Sequence, residues 1–254
     1  MTWTFVTDPA HVMAATGDYF NDMTSEDLHA RGVDSIDAYK EKYLLGIHTF
    51  LTPGQVKKID ASVAAANDAL KPYKHAAGIP WKIAVLGNGP EDGYPHTFKD
   101  IIVLTDRLLL GFVPEVTKTL IHEKVHVFQR MYPAQTHVLL LNRLKMKVLF
   151  MEPPALSRVR SNPDKNRMSY GYGSVCCFQR YGSDTPRNLA DSRVECVSSK
   201  IDVETPGEDD LIFLNEHEHP FEMMAYTISS LLSHGRTHGR TNTRTIHEWM
   251  VKYF

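Results

Sequence analysis

Apolar positions recur along this chain with two periods, and their alternation predicts a mixed architecture of helices and short strands. Between Asp34 and Phe50, residues Ile36, Tyr39, Tyr43, Leu44 and Ile47 stand at the 3.6-residue spacing that gathers one helical face. Thr52-Pro53 then supplies a cap and a preorganised first turn for a helix to about Leu70, which Lys71-Pro72 ends. Its alanines, Ala61, Ala64, Ala65, Ala66 and Ala69, make it small-sided, so it is expected to pack closely as scaffold. Trp81 to Leu86 reads as a strand before the turn-rich Gly87-Asn88-Gly89-Pro90, and Phe98 to Thr105 as a second strand rich in Ile, Val and Leu.

The segment from Pro114 to Met131 reads as one helix, with Pro114 at its start, Glu115 in its first turn and Arg130 near its end, as the macrodipole prefers. Val116, Leu120, Ile121, Val125 and Phe128 form its apolar face, whereas Thr119, His122, Glu123, His126 and Arg130 fall on another. After Pro133 a second large helix is expected from Val138 to Phe150, cut at Pro153-Pro154 and packed behind the first. Ser161 to Ser169 is loop-like, and Tyr170-Gly171-Tyr172-Gly173 leads into strands near Val175 to Phe178 and Arg193 to Val197. Glu204 to Asp210 reads as an acidic, turn-prone loop. From Pro220 to about His234, Phe221, Met224, Ala225, Ile228, Leu231 and Leu232 describe an amphipathic helix, and a short helix from Thr245 to Tyr253 closes the chain.

The chain has 254 residues, enough to bury a full core, and one continuous fold is expected, with sublobes 1–132 and 133–254. Its formal net charge of −2, with no basic stripe interleaved with aromatics, argues against nucleic acid as a partner. Neither a signal-peptide pattern nor an apolar run long enough to span a bilayer is present, so a soluble, cytoplasmic protein with no membrane partner is expected. Three cysteines, Cys176, Cys177 and Cys196, are too few for a disulfide framework; their odd number fits a reducing compartment, and all three read as small, partly buried hydrophobes. Cys176 and Cys177 are adjacent, and neighbouring side chains on a strand point to opposite faces, so they cannot easily share one ion.

The chemistry concentrates in His122-Glu123-Lys124-Val125-His126, an H-E-x-x-H placed on the predicted helix. Histidines at i and i+4 lie one above the other, so both imidazoles can reach one metal ion without bending the backbone. Glu123 sits where a carboxylate can take a proton from a zinc-bound water whose pKa the metal has lowered to about 7. Catalytic zinc has three protein ligands plus water, so one ligand remains to be found. A metzincin would continue with Gly and a third His, but Gln129 and Tyr132 stand at those positions, and that class is excluded.

Far downstream, His219-Pro220-Phe221-Glu222-Met223-Met224-Ala225-Tyr226 places Glu222 in the first turn of the amphipathic helix, with small Ala225 allowing close approach. This pairing of H-E-x-x-H with a later helical Glu resembles gluzincin-type zinc metallopeptidases. The resemblance covers two short helices. It implies zinc ligands His122, His126 and Glu222, Glu123 as general base, and an α+β, zincin-like fold, a small twisted sheet on the motif helix with a mainly helical second lobe. Glu216, His217, Glu218 and His219 crowd the same neighbourhood as alternative ligands or supporting groups. Tyr226, one turn after Glu222, is the first candidate to stabilise the oxyanion; Tyr170, Tyr172, His217 and His219 are alternatives.

The expected activity is zinc-dependent hydrolysis of a peptide or protein substrate. The competing expectation is a zincin-derived binding or scaffold protein with a structural or vestigial metal site, in which protein closes the coordination position that an enzyme leaves to water. The segment His234-Gly235-Arg236-Thr237-His238-Gly239-Arg240 reads as a solvated loop.

Overall fold

A computed structural model describes residues 3–87, 89–149, 156–165, 168–198, 219–234 and 241–253. In chain order the elements are β1 (Trp3–Phe5), α1 (Pro9–Ala15), α2 (Ser25–Ala30), α3 (Ile36–Gly46), α4 (Pro53–Leu70), α5 (Lys74–Gly78), β2 (Trp81–Leu86), β3 (His96–Phe98), β4 (Ile101–Thr105), α6 (Asp106–Leu110), α7 (Val113–Met131) and α8 (Pro133–Val138). They continue with β5 (Lys147–Leu149), β6 (Ser169–Tyr172), β7 (Val175–Tyr181), β8 (Ser192–Ser198), α9 (Pro220–His234) and α10 (Thr241–Tyr253).

The first sheet has the order β1-β2-β4-β3, parallel except for β3, which runs antiparallel along one edge. Its central strands are apolar at every position but Lys82 and Thr105, because helices cover both faces. The two-residue period divides them. Ile83, Val85, Ile102 and Leu104 join the core built with α4 and α7, while Ala84, Leu86, Ile101 and Val103 join a second core with Phe20, Tyr39 and Tyr43. The predicted strand from Phe98 to Thr105 is in fact the β3–β4 hairpin, broken where Lys99 takes a left-handed φ of 49°.

Helix α4 begins with the expected cap: Thr52 Oγ1 accepts from Gln55 N at 3.2 Å, and Gln55 Oε1 accepts from Thr52 N at 2.9 Å. Its buried face, however, is Ile59, Ser62, Val63, Ala66 and Leu70, and Ala61, Ala64 and Ala65 are exposed. The alanines are thus mostly solvent-side helix formers rather than a packing stripe. Helix α7 lies between α4 and α9 and against β3 and β4. Lys124 fixes its rotation from the side away from the cleft: its buried Nζ donates to Ile79 O at 2.6 Å and Pro80 O at 3.1 Å and stands 3.8 Å from the centre of the Trp81 ring.

The second half corrects the expected architecture. The helix expected from Val138 does not form over the described residues: α8 ends at Val138, a wide turn spans Leu139–Arg143, and Lys147–Leu149 pairs with β6 as a strand. The Lys-apolar alternation there suits either state, and cross-strand pairing decided it. Strands β5-β6-β7-β8 form an antiparallel meander, a second sheet beside the helices α8, α9 and α10 of this lobe. Cys176 packs with Leu149 and Phe178, as a buried hydrophobe should, but Cys177 lies directly opposite Cys196 and the two form a disulfide. The expectation of three free thiols fails because pairing depends on strand register across a separation of 19 residues. With it goes the cysteine argument for a reducing compartment. No described helix is long and apolar enough to cross a membrane.

A buried polar network ties α2 and α3 to the loop after β2. Arg31 donates to Glu91 Oε2 at 2.9 Å and to Asp27 Oδ1 at 3.1 Å, while the Tyr39 hydroxyl donates to Glu91 Oε1 at 2.6 Å. Asp27 also accepts from Ser161 N and Oγ and from the Tyr181 hydroxyl, joining the two halves. Glu91 and Asp92 hold left-handed φ values of 51° and 50°, strain that this network and the Leu189 N–Asp92 bond restrain.

Candidate metal centre

The expected residues converge. On α7, His122 and His126 present Nε2 atoms 3.1 Å apart, and Glu222 Oε2, from the first turn of α9, lies 3.2 Å from one and 3.7 Å from the other. Four donors arranged tetrahedrally about zinc at 2.0–2.1 Å would stand about 3.3–3.4 Å from each other, so these three atoms outline one face of such a site. His122 and Glu222, nearly buried, line a cleft of about 510 Å³, and His126 beside them is fully buried.

Neighbouring groups set the donor atoms. His126 Nδ1 is 2.8 Å from Gln129 Oε1, and Gln129 Nε2 donates to Phe221 O at 3.1 Å. The amide orientation that satisfies Phe221 leaves Oε1 as acceptor, so Nδ1 carries a proton and Nε2 is the atom turned toward His122 and Glu222. Gln129 therefore links the two helices that carry His126 and Glu222. Replacing it with Leu should weaken zinc binding by about 10- to 100-fold, measured by competition with a chelator; unchanged affinity would remove Gln129 from this role.

Three further residues escaped the sequence reading because they come from strands and loops distant in the chain. Asn162 Nδ2 donates to Glu222 Oε1 at 2.9 Å, holding the carboxylate so that Oε2 faces the histidines. Thr97 Oγ1, on edge strand β3, donates to Glu123 Oε2 at 2.7 Å. The outward backbone N–H of Thr97 is taken by Asp164 Oδ1 at 2.8 Å, and Arg130 reaches Asp164 Oδ1 at 3.5 Å and Pro163 O. Asn162-Pro163-Asp164 lies in the segment that reads only as a loop, since nothing local tells which side chains a loop will meet.

Glu123, Asp164 and Glu222 surround His126 with carboxylates, and the electrostatics reflect that excess. Burial pushes Glu123 up to about 8, reinforced by Asp164 and opposed by His126 and the Thr97 hydroxyl. Burial resists a charge on His126, yet Asp164 and Glu222 outweigh it and raise its pKa to about 9. Burial likewise favours neutral Glu222, but His126 and His122 hold its pKa well below the usual carboxylate range. A pocket that retains a proton on a buried imidazole and strains to keep all its carboxylates ionised has the charge balance a divalent cation would relieve. Donor types, spacing and charge all fit zinc. Glu123, His126 and Asp164 also cluster closely enough to hold an ion, but they share His126 with the first set.

Of the other candidates, Tyr226 lines the cleft, 48% exposed, with its ring centre 4.5 Å from that of His122. Tyr170 is buried against His219 and Phe221, and neither it nor Tyr172 lines the cleft. His219 is a helix cap: Nδ1 accepts from Phe221 N, Nε2 donates to Met168 O, and burial pushes its pKa down to about 3. With both ring nitrogens so engaged and no place in the cleft lining, His219 is not positioned as ligand or oxyanion donor. Glu216, His217, Glu218, the Glu204–Asp210 loop and residues 235–240 lie outside the described residues. No protein-family model, curated protein or solved structure matches the chain.

Proposed function

We propose that this protein is a zinc-dependent metallopeptidase of gluzincin type, a single zincin-like domain acting on a peptide or protein substrate. The observation that carries the reading is the meeting of His122, His126 and Glu222 from two helices far apart in sequence, with Glu123 on the same helix opening into the same cleft. Zinc held there would polarise the scissile carbonyl and lower the pKa of its water.

The chain's own residues supply the rest. Thr97 occupies Glu123 Oε2 and leaves Oε1, which has no hydrogen bond among the described residues, to take a proton and pass it to the leaving amine. Tyr226 stands beside His122 at the cleft wall, where its hydroxyl can donate to the oxygen that gains negative charge. Gln129 and Asn162 keep the ligands aimed, so little reorganisation is needed when the barrier is crossed.

The test is zinc content together with chelator-sensitive cleavage of a mixed peptide library. About one zinc per chain and cleavage that chelation abolishes and zinc restores are expected. Zinc without cleavage of any peptide would favour a scaffold with a structural ion, and a chain that binds no zinc would sink both readings.

A further inference from the structure

The cleft that holds the candidate metal centre is rich in charged groups, and nearly all of them are already engaged. Glu91 is held by Arg31, Tyr19 and Tyr39. Asp164 is bound by Thr97 N and faces Arg130, Glu123 accepts from Thr97, and Glu222 meets both histidines and Asn162. Arg160, also in the wall, has partners of its own. Lys118 differs. It lines the cleft, half-buried, and among the described residues it makes no hydrogen bond or ion pair.

Lys118 is placed four residues before His122 on α7, on the same face. One turn of helix separates their Cα atoms by about 6 Å along the axis, and helical side chains lean toward the N-terminus, so the ammonium stands beyond that. An extended peptide advances about 3.3–3.6 Å per residue, which brings Lys118 within reach of groups one to three residues from the bond at the metal centre. An ammonium is a compact point charge that accepts a carboxylate in many orientations, with no demand for a planar partner.

From this we infer that Lys118 is a specificity-determining residue that selects substrates bearing a carboxylate one to three residues from the scissile bond. The inference rests on the peptidase reading for the identity of the bond, but the carboxylate site itself does not. The carboxylate has two sources, the C-terminus of a short peptide or an Asp or Glu side chain.

The experiment uses the zinc-loaded full chain and one peptide sequence in three forms: a free C-terminal carboxylate, a C-terminal amide, and the amide with Glu near its end. Binding is measured by calorimetry on the Glu123→Gln protein, where turnover is removed, and kcat/KM on the otherwise unaltered chain. One or both carboxylate forms should exceed the amide by about tenfold in both readings, and which of them does so identifies the source. Lys118→Met should bring that ratio close to one, chiefly through KM, and Lys118→Arg should preserve most of it. A preference in binding that vanishes in Lys118→Met, without hydrolysis of any form, supports the carboxylate site and removes the peptidase reading. Equal handling of all three forms, or a preference that Lys118→Met leaves intact, overturns the role of Lys118 whatever happens to hydrolysis.

Discussion

Glu123→Gln is expected to lower turnover by about 10³-fold or more while zinc stays bound with near-normal affinity. The substitution keeps size and shape, and Thr97 Oγ1 can still donate to the side-chain oxygen, so neither packing nor the position of His122 and His126 is disturbed. What disappears is the basic lone pair on the second oxygen, the only change a proton acceptor would feel. Glu123 is 3% exposed and, among the described residues, makes no hydrogen bond to His122, His126 or Glu222, so zinc retention separates loss of the base from loss of the site. Elemental analysis and steady-state kinetics on the same preparation read both. A fully zinc-loaded Glu123→Gln protein with ordinary kcat would remove Glu123 from the mechanism.

The largest effect on stability is expected from Arg31→Met, at about 3–5 kcal/mol. The guanidinium is buried between Glu91 and Asp27, with side-chain exposure of 1% against 4% and 0%. Removing one partner leaves two buried carboxylates uncompensated, which costs far more than the pair gained over a well-packed apolar replacement. The same network makes an acid-stability prediction. Burial favours neutral Glu91, but Arg31 and His96 outweigh it and pull its pKa down to about 2 from 4.5. A carboxylate depressed in the folded state contributes stability that is whole above the unfolded value and is lost as pH falls through the folded one. Urea midpoints should therefore drop between about pH 4.5 and 2 in the native chain, and the drop should shrink in Glu91→Gln. Arg244→Met, which removes an exposed ion pair with Glu248, should leave the midpoint unmoved. Equal midpoints for Arg31→Met and the native chain would show that the network contributes nothing net.

This network bears on the candidate site because it holds the loops that complete it. Asp27 and Arg31 fix Ser161, one residue before Asn162, which aims Glu222; Glu91 precedes the hairpin carrying Thr97. Loss of Arg31 should therefore loosen the ligand geometry as well as the fold, a coupling no feature of residues 27–31 announces.

Much of the site was written locally in the chain. His122, Glu123 and His126 share a helical face because 3.6 residues make a turn, and the helix around them has its Pro, its acidic first turn and its apolar stripe in adjacent residues. Glu222 was readable for the same reason, as an acid in the first turn of an amphipathic helix opened by Pro220. Periodicity is a short-range property, and wherever the placement of a candidate residue followed from it the residues alone were enough. Folding decided the rest. Lys147–Leu149 became a strand, Cys177 found Cys196, and Thr97, Asn162 and Asp164 reached the carboxylates only once long-range strand pairing and loop packing had brought them there. Strand register and the partners of a loop depend on contacts between segments distant in sequence, and no window of neighbouring residues contains them.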